Sequence, residues 1–445
     1  MLILPSRVPL MSRQNYRLEF TAAFFMPFLL IVFEGSVISV LVRIAFEGHV
    51  DPKLLNFITG AVAVVPALSN LLSFVWVRLS HGVNKVRFVT SLHAVMAAMG
   101  LGVALVPLND AGLIILALLV LFGRACWSGV TTLRSTIWKQ NYPDGSRAKI
   151  TGPFAMITVL MLAGLGYGLG ELMDADDRAF RVLVPVGCVM GMVGRYFWTR
   201  IRVRGEAAML LGEKAADRKE GPSFNPVRMI DVLLKDRSYA AFMLCQFLLG
   251  MGNILAMTLL AILLREIFSA DYNQGMLVST VITFVVMPFA IPLWAKLFDK
   301  VHIVKFRAIH SWVFVVGLTV LLIAVHTETF WLLFVFSALK GIAFGGGVLG
   351  WTLGHLDFAP PEKVNQYMGV HVTLTGVRGL LAATLGVQVY EWLGGAEGGG
   401  GPAVGICLAL TTIGAIGFVM MSRGMDKPRH DPAEDEVANV TGGGS

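Results

Sequence analysis

Four ionisable residues lie deep inside apolar stretches of this 445-residue chain, where charge has to serve a purpose: Glu34, Arg124, Lys340 and Arg378. On insertion scales, placing each charge in the middle of the membrane costs about 2.5–3.5 kcal/mol unless the charge is paired or hydrated. A carboxylate beside cations can take up and release a proton, and three cations against one carboxylate favour an anionic ligand. A structural alternative has Glu34 and Arg124 bracing two helices, Lys340 reaching toward the membrane surface and Arg378 packing at a glycine-rich crossing.

The composition indicates which elements carry these residues. Hydrophobic residues make up 56% of the chain and charged residues 15%, with a mean hydropathy of +0.70, outside the range of water-soluble domains. A bilayer core of about 30 Å needs about 20 apolar residues in a helix. The apolar runs predict an all-α integral membrane protein with twelve transmembrane helices, near 18–43, 54–77, 88–107, 111–138, 150–172, 180–200, 238–264, 273–296, 304–325, 330–356, 365–392 and 402–422.

Two similar segments, residues 76–88 and 294–306, indicate that the chain is duplicated. Each begins with Trp, ends with Phe and joins one apolar run to the next. Arg124 and Lys340 are separated by nearly the same number of residues as these two segments. We therefore predict two pseudo-symmetric six-helix bundles related by an internal repeat.

The predicted organisation follows from the polar stretches between the runs. It comprises a cytoplasmic N-terminus (1–17), an N-terminal bundle (18–200), a cytoplasmic linker (201–237), a C-terminal bundle (238–422) and a disordered tail (423–445). Within the linker, residues 206–220 alternate charged and apolar residues like a surface helix.

Basic residues predict the orientation, because Lys and Arg accumulate in cytoplasmic loops. With both termini inside, most of the 36 Lys and Arg fall on the cytoplasmic side, Lys85 and Arg307 among them. The net charge of +7 therefore reflects topology and contact with anionic lipids, and gives no basis for nucleic-acid binding. No cleavable signal is recognisable, which favours a bacterial inner membrane.

Several motifs resemble the major facilitator superfamily over residues 18–422. The loop from Pro143 to Gly152 resembles the family pattern after the fourth helix, and residues 360–369 repeat its proline-to-glycine spacing. The resemblance implies a twelve-helix transporter fold in which helices 1, 4, 7 and 10 line a central cavity. Glu34, Arg124 and Lys340 would meet there, with Arg378 nearby.

Loop residues in the same pattern are candidates for a cytoplasmic gate: His81, Asp299, Lys300, Arg147 and Asp357. The family carries an acid and a base in the loop after its second helix. Here only the second copy keeps them, as Asp299 and Lys300, while the first copy has His81. Such residues could hold helix ends together in one conformation, or could only fix topology and cap helices.

The sequence thus predicts a monomeric secondary transporter and no enzyme, since no catalytic constellation, metal cluster or cofactor motif is recognisable. We expect alternating access, a small organic anion or amphiphile as substrate, and proton coupling through Glu34. Two alternatives stay open. One is a non-transporting membrane sensor or assembly scaffold, suggested by the altered loop at His81, and the other is a multidrug or lipid exporter.

Overall fold

A computed structural model describes residues 8–176, 178–220, 227–270, 274–275, 277–395 and 398–423. All regular structure within these ranges is helical. The tail predicted to be disordered lies outside the described residues from position 424 onward.

Eight helices make up the first half of the molecule. They are α1 (Arg13–Leu30), α2 (Gly35–Phe46), α3 (Pro52–Leu71), α4 (Ser73–Leu79), α5 (Lys85–Leu105), α6 (Asp110–Asn141), α7 (Arg147–Ala175) and α8 (Phe180–Thr199).

Two linker helices and six further helices follow. The linker contains α9 (Glu206–Glu220) and α10 (Val227–Lys235). The second half contains α11 (Arg237–Glu266), α12 (Ile282–Phe298), α13 (Ile303–Thr327), α14 (Trp331–Leu353), α15 (Val364–Trp392) and α16 (Gly400–Met421). We call the end of the molecule where α9 and α10 lie the linker face; the sequence predicts that it is cytoplasmic.

The helices are long enough to cross a bilayer. Among the described residues, ten helical segments are long and apolar enough to span a membrane. The bent pair Pro52–Val62 with Val64–Leu71 makes an eleventh if it is taken as one span. Helix α15 is not among these segments, but its 29 residues span about 43 Å at the α-helical rise. The chain is therefore an integral membrane protein.

Two membrane helices are interrupted where the sequence predicted continuous spans. The run predicted at 18–43 passes through a 3₁₀ turn, Ile31–Phe33, and Glu34 is extended (φ −80°, ψ 116°) before α2 begins. The pair within 52–71 is bent by 55° around residue 63. Pro66 accounts for this bend, because it has no N–H to donate to the carbonyl of Val62.

Each half has its own apolar core. One cluster of buried side chains runs from Ala22 to Ile201 within the first half, and another from Met251 to Cys407 within the second. A third cluster draws on both halves and includes Tyr142, Phe298 and Leu356. The halves are therefore packed units that share one further contact region.

That contact region lies toward the linker face. The Ser73 hydroxyl donates to the Gly369 carbonyl at 2.9 Å, and Lys139 Nζ donates to the carbonyls of Leu356, at 3.2 Å, and Ala359. Thr136 donates to Asn365 across the same interface. The structure is thus closed between the halves at the linker face.

We predict that closure depends on Gly376. A Cβ atom there would lie 2.7 Å from the Ala67 carbonyl oxygen and 3.0 Å from Leu71 N, both backbone atoms of α3. Gly376→Ala should therefore lower stability by about 1–3 kcal/mol, as overpacking does, measured by thermal unfolding of the purified protein. Gly405→Ala is the matched control, since nothing lies within 4 Å of its added atom. Equal effects of both substitutions would contradict this packing argument.

Candidate functional site

Glu34 and Arg124 form an ion pair inside the first half. Arg124 Nη1 donates to Glu34 Oε2 at 3.1 Å, and their side chains are 31% and 14% exposed, Glu34 and Arg124 respectively. Arg124 is near the middle of the 32-residue helix α6, so the pair lies at mid-depth. Both side chains are therefore partly buried.

The backbone break places the carboxylate of this pair. Phe33, fully buried before the break, lies against α6 at Gly123, where a Cβ atom would be 2.1 Å from the ring. A glycine beside Arg124 therefore lets the interrupted chain approach α6. Glu34 precedes the first turn of α2, whose free N–H groups carry partial positive charge.

Lys340 contacts neither member of this pair. Its Nζ donates to the Ser279 carbonyl at 2.7 Å and lies 5.7 Å from the centre of the Phe336 ring. It also lines a cavity with Asn253 and Phe314 inside the second half.

Arg378 belongs to a second group of buried cations. Its Nη1 donates to the Gln246 carbonyl at 2.8 Å, and Gly250 makes room for the guanidinium. Arg307, 1% exposed, contacts His310 Nδ1 at 3.2 Å. The charges of both arginines act on each other and on His371.

The structure thus brings two of the four predicted cavity residues together. Glu34 and Arg124 are paired, whereas Lys340 and Arg378 are held by backbone carbonyls of the second half. Within the part of the chain that the structure describes, no carboxylate pairs with Lys340, Arg378 or Arg307. Among the described residues, the second half therefore carries three buried cations without a carboxylate partner.

Among the predicted gate residues, Asp299 bridges the halves. Its carboxylate, 5% exposed as a residue, accepts from Ala148 N at 2.8 Å and Lys149 N at 3.0 Å. These are the first free N–H groups of α7, so the charge also meets the positive end of that helix. Lys149 Nζ lies 3.9 Å from the same carboxylate.

Three other predicted gate residues act within their own half. Asp357 accepts from Ile303 N at 2.7 Å and caps α13. Arg147 pairs with Asp144 and donates to the Lys139 carbonyl. Lys300 is exposed. Lys139 also contacts the opposite half, and the sequence did not identify it as a gate residue.

His81 contacts the linker. Its Nε2 lies 3.0 Å from the Glu213 carbonyl, and the Glu213 carboxylate accepts from Gly82 N and Lys85 Nζ, each at 2.7 Å. The Lys85 and Glu213 side chains are 0% and 3% exposed. Helix α9 therefore supplies a carboxylate to the loop that lacks its own acid.

The α9 helix also reaches the second half. A Cβ atom at Gly212 would lie 3.4 Å from Glu362 Cγ, in the turn that precedes α15. The linker helix thus lies between the α4–α5 loop and the α14–α15 loop on the linker face.

The sequence did not identify three of the buried charged residues. Lys85 and Arg307 were counted as loop charges, yet both are buried, and Glu213 was assigned to a surface helix. The sequence did carry one signal for Arg307. Arg307 and His310 are polar residues three positions apart, a helical spacing, within an apolar run. Glu213 is one of several acids in its segment and carries no such signal.

Comparisons with known proteins agree on the architecture. The Major Facilitator Superfamily sequence model matches residues 242–441. The proton:xylose symporter XylE bound to 6-bromo-6-deoxy-D-glucose has a TM-score of 0.69 and 14% identity, over 90% of this chain and 95% of that one. A bacterial homologue of the iron transporter ferroportin, in an outward-facing state, has a TM-score of 0.70 and 12% identity, over 92% and 99%.

At these identities the solved structures establish the fold alone. They confirm the predicted all-α fold of twelve helices in two six-helix bundles. No curated protein matches the chain.

We predict that Asp299 stabilises closure, because it accepts two backbone N–H groups from the opposite half. Asp299→Asn weakens hydrogen bonds to a charged group, worth about 1.5–3 kcal/mol, so access to the interface should rise about tenfold or more. The measurement is the labelling rate, by a membrane-impermeant maleimide, of Thr136→Cys in a background without the native cysteines. Asp357→Asn is the control, since it removes a similar cap within one half. Faster labelling in the control alone would contradict the assignment.

A second prediction concerns Glu213. Glu213→Gln leaves Lys85 buried without its counter-charge, at a cost of roughly 3–5 kcal/mol, so α9 should detach from the α4–α5 loop. Amide hydrogen exchange across residues 206–215 should accelerate. In the control, Glu47→Gln, the Arg43–Glu47 pair is 47% and 65% exposed and contributes about 0.2–1 kcal/mol. Unchanged exchange in Glu213→Gln would show that the ion pair does not hold the helix.

Proposed function

We propose that the chain is a divergent member of the major facilitator superfamily and a proton-coupled secondary transporter for a small organic anion or amphiphile. The observation that carries the proposal is the Glu34–Arg124 ion pair at a break in a membrane helix. A similarity of fold supports the proposal, since one structural neighbour is a proton:xylose symporter.

Glu34 has the surroundings that a coupling acid needs. Ionised, it pairs with Arg124, and protonated, it is neutral and inexpensive to bury. Because it is 31% exposed, water can deliver the proton. Protonation releases Arg124, which then becomes available to an anion.

The anionic character of the substrate is supported by charge. Glu34, the partner of Arg124, precedes the N-terminal turn of α2, which favours negative charge. Across the molecule, Lys340, Arg378 and Arg307 have no carboxylate partner among the described residues. An anionic group would compete with Glu34 for Arg124 and would be attracted by the second half.

Alternating access requires a closed state that can open. The contacts of Asp299 with α7 and of Lys139 with the α14–α15 loop would hold the predicted cytoplasmic side shut. In the opposite state these contacts would separate as the bundles rock about the midplane. We assign the protein to a bacterial inner membrane, with both termini in the cytoplasm.

The structure bears differently on the two alternative functions, a membrane scaffold and an exporter. The scaffold hypothesis relied on a loop without its acid, and Glu213 fills that position. One observation favours an exporter of lipids or drugs: an apolar groove of about 200 Å³ lined by α1, α2, α7 and α8 side chains, with Gly164 and Gly168 on its wall.

Transport by proteoliposomes tests the proposal. A carboxylate, a phosphate ester, a neutral sugar and an apolar cation of similar size would be offered with and without a pH gradient. We expect gradient-driven flux of an anion, lost in Glu34→Gln. In Arg124→Gln, apparent affinity should fall about 10- to 150-fold, because a charge-assisted bond is worth about 1.5–3 kcal/mol.

The exposed Glu47→Gln variant is the control and should transport normally. Gradient-driven flux that persists in Glu34→Gln would remove Glu34 from coupling. Flux of the apolar cation alone would favour the exporter, and flux of none of the four would count against transport of these classes.

A further inference from the structure

A second polar cavity lies inside the first half, apart from Glu34 and from the interface between the halves. It has a volume of about 30 Å³ and is lined by side chains of α1, α5, α6, α7 and α8. Glu19, His93, Arg134 and Thr158 supply polar atoms to its wall. One water needs roughly 10–15 Å³ measured in this way, so the cavity has room for at least one.

Glu19 is the acid of this cavity. The residue is 3% exposed, and each carboxylate oxygen accepts one hydrogen bond. Trp138 Nε1 donates to Oε2 at 2.5 Å, and the Tyr142 hydroxyl donates to Oε1 at 2.6 Å. Both donors are neutral, so the carboxylate is held in place without a direct ion pair in the described structure.

Arg134 provides positive charge at a short distance from Glu19. Its guanidinium lies 4.6 Å from the centre of the Trp138 ring and 5.9 Å from that of Trp127. Its charge acts on both Glu19 and His93. Two indole faces thus orient the guanidinium beside the cavity.

His93 has polar atoms that need a partner. It is 1% exposed, and neither ring nitrogen has a hydrogen-bond partner among the described residues. The ring meets Trp198 edge to face, with centroids 5.9 Å apart. Since buried polar groups almost always find a partner, water in the adjoining cavity is the natural one.

Pro27 adds a further polar atom. It stands inside α1 and has no N–H, so the Ala23 carbonyl, four residues earlier, loses its helical donor. Ala23 and Pro27 both line the cavity. A water there can therefore contact His93, Arg134 and a free backbone carbonyl, within the two to four partners that a buried water requires.

We propose that this cavity is a hydrated proton-binding site in which Glu19 takes up and releases a proton. A water molecule in the cavity carries the proton to a Glu19 oxygen, an O–H bond forms there, and the water is left neutral. The cavity reaches Leu30, one helical turn before Glu34. A proton leaving Glu34 toward the linker face would meet Glu19 next; this coupling role rests on the proposed function, whereas proton binding does not.

Charged and titratable groups from several elements set the balance at Glu19. Arg134 on α6 and Tyr142 after α6 act on Glu19 itself. Arg195 on α8 acts on His93 on α5, while Tyr16 on α1 and Arg204 after α8 act on Tyr142. From α7, Phe154 and Thr158 line the cavity and neither is titratable. The Trp138 and Tyr142 donors and the charge of Arg134 favour the ionised carboxylate, so protonation of Glu19 has to compete with these interactions.

Infrared difference spectroscopy of the full-length protein in liposomes, titrated with pH, tests the site. A protonated buried carboxyl gives its own C=O stretching band. We expect a pH-dependent band that is lost in Glu19→Gln and retained in Glu34→Gln. Tyr142→Phe removes one donor to the carboxylate but leaves Glu19 in place, so the band should persist with its midpoint shifted to higher pH.

The outcomes separate the two proposals. An unchanged spectrum in Glu19→Gln, or an unmoved midpoint in Tyr142→Phe, would overturn proton binding at Glu19. If Glu19→Gln does not fold, the Tyr142→Phe midpoint decides alone. Because the spectra need no substrate, a failure of transport leaves this result intact, and loss of the Glu19 band without effect on transport would remove only the coupling role.

Discussion

The ion pair between Glu34 and Arg124 joins two helices at the point where the first membrane helix is interrupted. In a lipid environment, an irregular backbone segment is tolerated only where protein or water satisfies its polar groups. Here α6 provides that shelter, because Gly123 lets Phe33 approach and Arg124 neutralises the carboxylate. Backbone break, glycine and charge pair depend on one another, and the geometry of the first half follows from them.

The two halves share a design but distribute charge differently. In the first half, the half-buried Glu34 pairs with Arg124, and the buried Lys85 pairs with Glu213 of the linker helix α9. In the second half, buried cations are met by backbone carbonyls and histidines. The electrostatic potential at the midplane is therefore more positive on the side of the second half, and a negative solute is attracted most strongly there.

Much of this architecture could be predicted because bilayer thickness constrains helix length directly. Long apolar runs identified the helices, and the depth of Glu34 and Arg124 within their runs anticipated that they could pair. The break at Glu34 was not predicted, because apolar residues resume after Ser36 and no proline lies within residues 31–36. Pro66 carried a signal for its bend, since proline in a helix interior leaves a carbonyl free.

The candidate site was predicted less completely than the fold. Lys85 and Arg307 lie at helix ends where basic residues usually reach solvent, and tertiary packing alone reveals that these two are buried. Glu213 meets its partner 128 residues away in sequence, and nothing local marks such a contact. The membrane orientation and the domain boundaries stay predictions.

The contact of Glu213 with the α4–α5 loop bears on the symmetry of the repeat. The two loops have similar sequences, yet one carries its acid, Asp299, and the other receives an acid from the linker helix α9. The linker is therefore part of the first half's structure as well as a connection. A circular permutant that places the second half first would keep both bundles but would have to carry α9 along with the first half to restore this loop.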